Sequence, residues 1–488
     1  MNTSPAADMP PPPVPRRFFS WSNARRALLG LAGICTLIAA FFVIEGWRGR
    51  RAWAEVEALA RSRGEPITLA EVVPAPVPDA ENFAATPLVA ALFSPDEKVV
   101  KAAIDRWRLA TVDDTAKEPG FDPARLGGRS VPDAWRDYLK TNDLIAYLGR
   151  YDRDLAELAE ATRRPFSRFP VRYEDGFRTT LPYLTPLHLA SKLLCLRAEA
   201  RLERGQTAGA AEDAVTLLRL AKALGAGATL IDQLMAKTMA ERGLQVLRAG
   251  LATHAWTEMD LATFDAGLAR LDLLGAVWRS WRVELALSST LIRQAVDQPR
   301  MVSEAMSVTT NSTVAGKLCY VCPSGWFYQN AAFVGHIYLD NLFPSYDGKA
   351  RRIDFVRLKK METRVLEKRF SPYRFLAFVI IPSMERTGFV FAAGQTQVDL
   401  ARTAITLDLW RRRHGAYPTS LAELPAAQGA GVLHDLATGD PFRYRRNDDG
   451  SYLLYATGVD GVDDGGKAVK KDSGRPDIEK GDWVWTDS

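Results

Sequence analysis

The run Ala27 to Ile44, ALLGLAGICTLIAAFFVI, constrains this chain more than any other feature, because it holds eighteen residues without a charge. As a helix it would rise about 27 Å, close to the hydrocarbon thickness of a bilayer. A buried core helix would show polar positions at helical spacing, yet only Thr36 and the small Gly30 and Gly33 interrupt the apolar surface. The run predicts one transmembrane helix over residues 27–47, with Gly46 and Trp47 at the headgroup level, so the lipid bilayer is the first expected partner.

Arg16, Arg17, Arg25 and Arg26 precede the span, while Arg48, Arg50 and Arg51 follow it closely. With Glu45, Glu55 and Glu57 beyond the far end, the balance places the N-terminus in the cytoplasm and the body outside a bacterial inner membrane. A cleaved signal peptide is the alternative, since Ala52-Trp53-Ala54 has the small-x-small form. Three arginines between the apolar run and that site argue against cleavage.

At 488 residues, 47% hydrophobic and 25% charged, the chain has room for two or three globular domains with real cores. A formal charge of +5 over that length makes no strong field, so nucleic acid is not expected as a partner. Of the four cysteines, Cys35 falls in the span and Cys195 stands alone, which leaves Cys319 and Cys322 as a disulfide candidate. Two thiols that close form a strained, reducible bond in an oxidising compartment, or simply pack as thiols. Zinc would need a second pair or ligand-spaced histidines, and His336 is isolated.

Taken in order, residues 1–26 read as a disordered tail rich in proline, followed by the membrane helix. Residues 48–130 read as a membrane-proximal helix, Arg48 to Ser62, with Trp53, Val56, Leu59 and Ala60 on one face. An extended Val73 to Pro78 spacer, a short helix ending near Phe93 and a mixed stretch from Asp96 to Asp133 follow. Residues 131–393 read as a helical body, a bundle or a short helical-repeat array. Its clearest unit is a hairpin: Leu189, Leu193, Leu196 and Ala200 form one stripe, Gly205 a break, and Ala211, Val215, Leu218 and Ala221 a second stripe. Helices over Leu230 to Leu251 and Leu261 to Leu274 continue it. The hairpin resembles tetratricopeptide-type units in size and in Ala210, Ala211 and Ala214, which implies a protein partner on the helical body. Lys349 to Arg369 reads as a solvated helix with Ile353, Val356, Met361 and Leu366 at helical intervals, and the apolar Phe375 to Ile381 stops at Pro382.

Residues 394–488 read as a small α+β module, so the fold class is mainly α. Gln395 to Trp410 is an amphipathic helix with Val398, Ala401, Ile405 and Leu409 on one face, and Gly415 suits a left-handed cap. Ser420 and Glu423 stand at capping-box spacing, and Phe442 to Arg446 and Tyr452 to Ala456 read as strands joined by the turn Asn447 to Gly450. With Asp399, His414-Gly415-Ala416-Tyr417-Pro418, Asp440-Pro441 and Gly458-Val459-Asp460-Gly461, this region resembles the C-terminal domain of type II secretion major pseudopilins. That resemblance implies calcium in the loop after the strands, with Asp460, Asp463, Asp464 and Asp477 as ligands. Pseudopilins carry their membrane helix directly before the long helix, whereas here it lies about 350 residues upstream, which implies a borrowed module rather than a pilus subunit. Two further stretches, Gly325-Trp326-Phe327-Tyr328-Gln329-Asn330 and Gly481-Asp482-Trp483-Val484-Trp485, are similar to membrane-anchored proteins of planctomycete and verrucomicrobial type, a family without an assigned activity.

There is no G-x-S-x-G, no H-E-x-x-H, no Walker A loop and no G-x-G-x-x-G after a strand, and His188, His254, His336, His414 and His434 are scattered singly. The expectation is an anchored envelope protein that binds or scaffolds partners in secretion or envelope structures. The alternative is an envelope hydrolase with its site in a cleft between the helical body and the C-terminal module. Apolar grooves would favour the first, buried carboxylates or a histidine pair in a deep cleft the second.

Overall fold

The computed structural model describes residues 21–107, 144–297, 322–366, 371–374, 377–425, 433–471 and 476–485, together with 300 and 303. The tail at 1–20, most of the mixed stretch after Asp105, and Cys319 lie outside them.

One helix, α1 (Trp21–Ser62), spans 42 residues and does two different jobs along its length. From Leu28 to Ile44 its large side chains stand exposed, Leu37 at 72% and Val43 at 70%, and this half is long and apolar enough to cross a membrane. Past Ile44 the helix continues without a break and becomes a core element. Glu45, Gly46, Gly49, Trp53, Val56 and Ala60 are buried, and from Gly46 onward they recur at intervals of three to four residues that keep a single stripe turned inward.

The body that receives this stripe is helical. After α2 (Asp152–Ala161) come α3 (Leu184–Glu203), α4 (Thr207–Gly225), α5 (Leu230–Ala252), α6 (Glu258–Leu268) and α7 (Leu273–Asp297). The expected hairpin is present, with Gly205 at φ +71° between α3 and α4. Its second stripe, Ala211, Val215, Leu218 and Ala221, is buried as read. On α3 the inward face is centred on Leu187, Ala190, Leu194 and Ala198, so Leu189 and Leu196 are only half-buried. The α5 helix packs on both α3 and α4. The helix expected over 261–274 is instead two helices, because Thr257 and Asp260 cap the start of α6, and Asp272 Oδ1 accepts the Gly275 N–H at 2.8 Å to start α7.

The helices α8 (Ser324–Ile337), α9 (Phe355–Leu366) and α10 (Ala377–His414) complete the body. The α9 helix is not simply a solvated face: Phe355, Leu358 and Met361 are buried against α10, while Val356 is 64% exposed. The α10 helix runs 38 residues straight through Pro382, where the sequence reading ends an apolar run. Pro382 falls in the second turn, and the single ladder bond it removes is outweighed by the long buried face that follows, from Phe389 to Leu407. The division expected between residues 393 and 394 therefore falls inside a helix.

The C-terminal strands are β1 (Arg443–Arg446), β2 (Tyr452–Ala456), β3 (Ala468–Lys470), β4 (Pro476–Gly481) and β5 (Trp483–Trp485). An antiparallel β1–β2–β5 sheet pairs Arg443 with Tyr455 and Leu454 with Trp485, and β3–β4 forms a separate antiparallel ribbon. The first hairpin closes at Gly450, φ +86°. Trp483, Trp485 and Phe442 share one apolar core with α10 and with the stripe of α1. Charged contacts join the same parts. Asp399 of α10, buried, accepts from Arg351 at 2.8 Å and from Gln395 at 3.0 Å, and Arg402 pairs with Asp265 of α6 at 2.7 Å.

Candidate functional site

Two places collect the chemistry, and each carries one of the two short stretches singled out above. The first is where α1 leaves its exposed apolar half. Gly325, at the start of α8, lies so close to α1 that a Cβ on Gly49 would run into the Gly325 backbone, and a Cβ on Gly325 into the Glu45 carbonyl. Backbone-to-backbone approach of this kind needs glycine on both helices. Around it, Glu45 is 2% exposed and is held by Arg48 at 2.6 Å and by Gln329 Nε2 at 3.0 Å. A buried carboxylate is tolerable only with such partners. Trp326 meets Phe41 edge-on at 6.4 Å and Tyr373 at 6.2 Å, and Arg48 lies over the Tyr373 ring. The Asn330 amide donates to the Trp326 and Pro372 carbonyls. Aromatic rings and arginines at this level, with Trp47 56% exposed, form the collar that a membrane interface favours.

The second place is a cavity of about 540 Å³ between α5, α10 and the β4–β5 corner, where the hydrolase alternative would put its site. Gly481, at φ +70°, makes the corner and turns Asp482 inward, 3% exposed, with Oδ2 accepting the N–H groups of Asp464 and Gly466 at 3.1 and 2.7 Å. Burial raises the Asp482 carboxyl above its usual range. Trp485 is fully buried beneath Arg248, whose guanidinium lies 4.3 Å from the ring centroid. Gln397 ties the corner together, accepting from Arg248 Nη2 at 2.9 Å and donating to the Val484 carbonyl at 3.4 Å. Lys237, Glu241 and Asp477 line it together with the apolar Leu244, Val390 and Ile478.

The four aspartates expected to hold calcium are not gathered into a cage. Asp463 accepts from Tyr455 at 2.9 Å, the Gly465 N–H at 3.0 Å and Arg443 at 3.3 Å. Asp460 accepts the Val462 N–H within its own turn, Asp464 engages Asp482 through its backbone, and Asp477 faces Lys471 at 3.6 Å. Among the described residues no group of three or more acidic, histidine or cysteine side chains is placed to hold a metal ion. Asp463 and Asp477 are turned to protein cations and Asp460 and Asp463 to backbone amides. The Cys319–Cys322 pairing lies outside the described residues, and Cys322 is half-buried ahead of α8.

Lys237 and Arg248 escape a reading of the sequence because they are two more polar positions on an amphipathic helix. Only the Gly481-Asp482-Trp483 stretch marks the place. No family model matches the chain, and comparison with curated proteins and with solved structures likewise returns no match.

Proposed function

We propose that this chain is a permanently anchored, single-pass protein of a bacterial inner membrane, holding a helical body against the outer face to bind partners there rather than to turn over a substrate. The observation that carries this reading is the continuity of α1 from an exposed apolar half into a buried core stripe. Cleavage at Ala52-Trp53-Ala54 would cut a helix beside Trp53, 7% exposed, and remove Glu45, Gly46 and Gly49 from their seat on α8. A signal peptide is built to leave; this segment is built into the fold. Because Gly325 and Trp326 touch α1 within two turns of Ile44, no slack linker separates the body from the bilayer.

Binding is set above hydrolysis on the apolar walls and the lack of a histidine among the described lining residues, against buried Asp482, whose raised carboxyl is a feature of the cleft that favours the hydrolase alternative. The pairing of Asp463 and Asp477 with protein cations leaves calcium outside this reading. A melt in millimolar calcium tests that point, an upward shift abolished by Asp463→Asn restoring the ion. Topology is tested with a tag at the C-terminus: protease added to intact spheroplasts removes it if the body lies outside, and protection would contradict the orientation.

A further inference from the structure

We propose that the cleft between α5, α10 and the β4–β5 corner binds a small organic carboxylate with an apolar body, its negative group seated on Arg248. The other charged groups of the wall have partners. Lys237 has Glu241, and Asp477 has Lys471. Asp482 spends one oxygen on two backbone N–H groups. Arg248 is the cation of this wall that no carboxylate among the described residues reaches: its Nη2 donates to the neutral Gln397 amide and its Nε is buried without an acceptor among them, as Oδ1 of Asp482 is buried without a donor among them.

The fully buried arginines among the described residues each have a carboxylate, Arg197 meeting Asp213 at 2.6 Å and Arg402 meeting Asp265 at 2.7 Å, whereas half-buried Arg248 shares with half-buried Arg242 a neutral oxygen partner, the Ser191 hydroxyl in the case of Arg242. A guanidinium partly removed from water without a counter-charge is disfavoured, and an arriving anion would supply that charge. Burial accordingly lowers the Arg248 pKa. The Trp485 ring beneath it and the Gln397 amide beside it hold the guanidinium plane in one orientation, so little freedom remains to be lost on binding.

The class of ligand follows from the surroundings. Arg248 lines the cleft, and the paired N–H donors of a guanidinium match the two oxygens of a carboxylate. Glu241, Asp477 and Asp482 in the same wall disfavour a doubly charged phosphate. Leu244, Val390, Ile478 and Val484 supply apolar contact, and about 540 Å³ accommodates a ligand of one or two rings.

The experiment uses the full chain in nanodiscs of zwitterionic lipid, with benzoate, benzamide and benzylammonium as probes followed by ligand-observed NMR and thermal melting. Benzoate is expected to bind saturably and raise the Tm, with benzamide and benzylammonium at least tenfold weaker. Arg248→Met is expected to abolish the benzoate response while its own Tm stays level or rises, since an uncompensated charge has been removed; a purely structural arginine would lose Tm instead. Arg248→Lys should keep a weakened response. Should Arg248→Met fail to fold, Val484→Trp, at another lining position, fills the cleft and must abolish benzoate binding with Arg248 intact. Equal binding of benzoate and benzamide, preference for benzylammonium, or undiminished benzoate binding in Arg248→Met would each overturn the proposal. Binding is read on purified protein and is indifferent to which side of a membrane the body occupies, so its failure and that of the anchoring reading are separable.

Discussion

Glu45 shows how much of a residue's role depends on partners that lie far along the chain. In the sequence it is an acidic residue at the end of an apolar run, useful only for weighing orientation. In the fold it is buried and bound by Gln329, 284 positions later. Trp53, Val56 and Ala60 were legible as a face because their spacing alone defines it; what the face packs against was not. Asp399, one of the pseudopilin-like positions, proves to be a buried partner of Arg351. His188 offers a test at this scale. Burial, with Arg242 and Lys192 nearby, depresses its pKa to about 4 from 6.5. A group whose basic form is favoured by folding contributes stability that is complete above the unfolded pKa and is lost as pH falls toward the folded one. Stability should therefore decline between pH 6.5 and about 4, by about 2 kcal/mol from this residue once solvent screening is allowed for. His188→Gln should flatten that part of the curve in melts recorded across the range; an unchanged slope would show that the imidazole titrates normally.

At the scale of elements, boundaries with a local chemical cause were readable and those set by tertiary packing were not. Gly415 takes the left-handed conformation read for it, Gly205 and Gly450, read as a break and a turn, take it too, and Ser420 and Glu423 form the expected capping box. The passage of α10 through Pro382 and the inward turn of α9 depend on what lies across from them, which no window of sequence contains. The strands β3, β4 and β5 are too short and too polar to announce themselves, apart from the tryptophans of β5. The glycine seam between α1 and α8 is where element packing is most exposed to mutation. Gly49→Leu must push the two backbones apart, and overpacking at such a contact costs about 2–3 kcal/mol or more. The Tm of the detergent-solubilised protein should fall by several degrees. Gly30→Leu, in the exposed half with nothing within 4 Å, should leave it unchanged. Equal effects at both positions would mean that the seam does not form.

On the scale of the whole molecule, one apolar core reaches from the end of α1 through the helical body to Trp485. The C-terminal strands and the membrane-proximal helix thus belong to the same packed mass, and a change at the membrane end is felt through continuous packing rather than across a linker. That unity requires α1 to remain attached. The most direct measurement is intact mass spectrometry of the protein purified from membranes with a tag at each end. A single carbonate-resistant species bearing both tags and residues 21–62 is the result predicted here. A soluble body beginning near Ala54, with the N-terminal tag on a separate fragment, would contradict it.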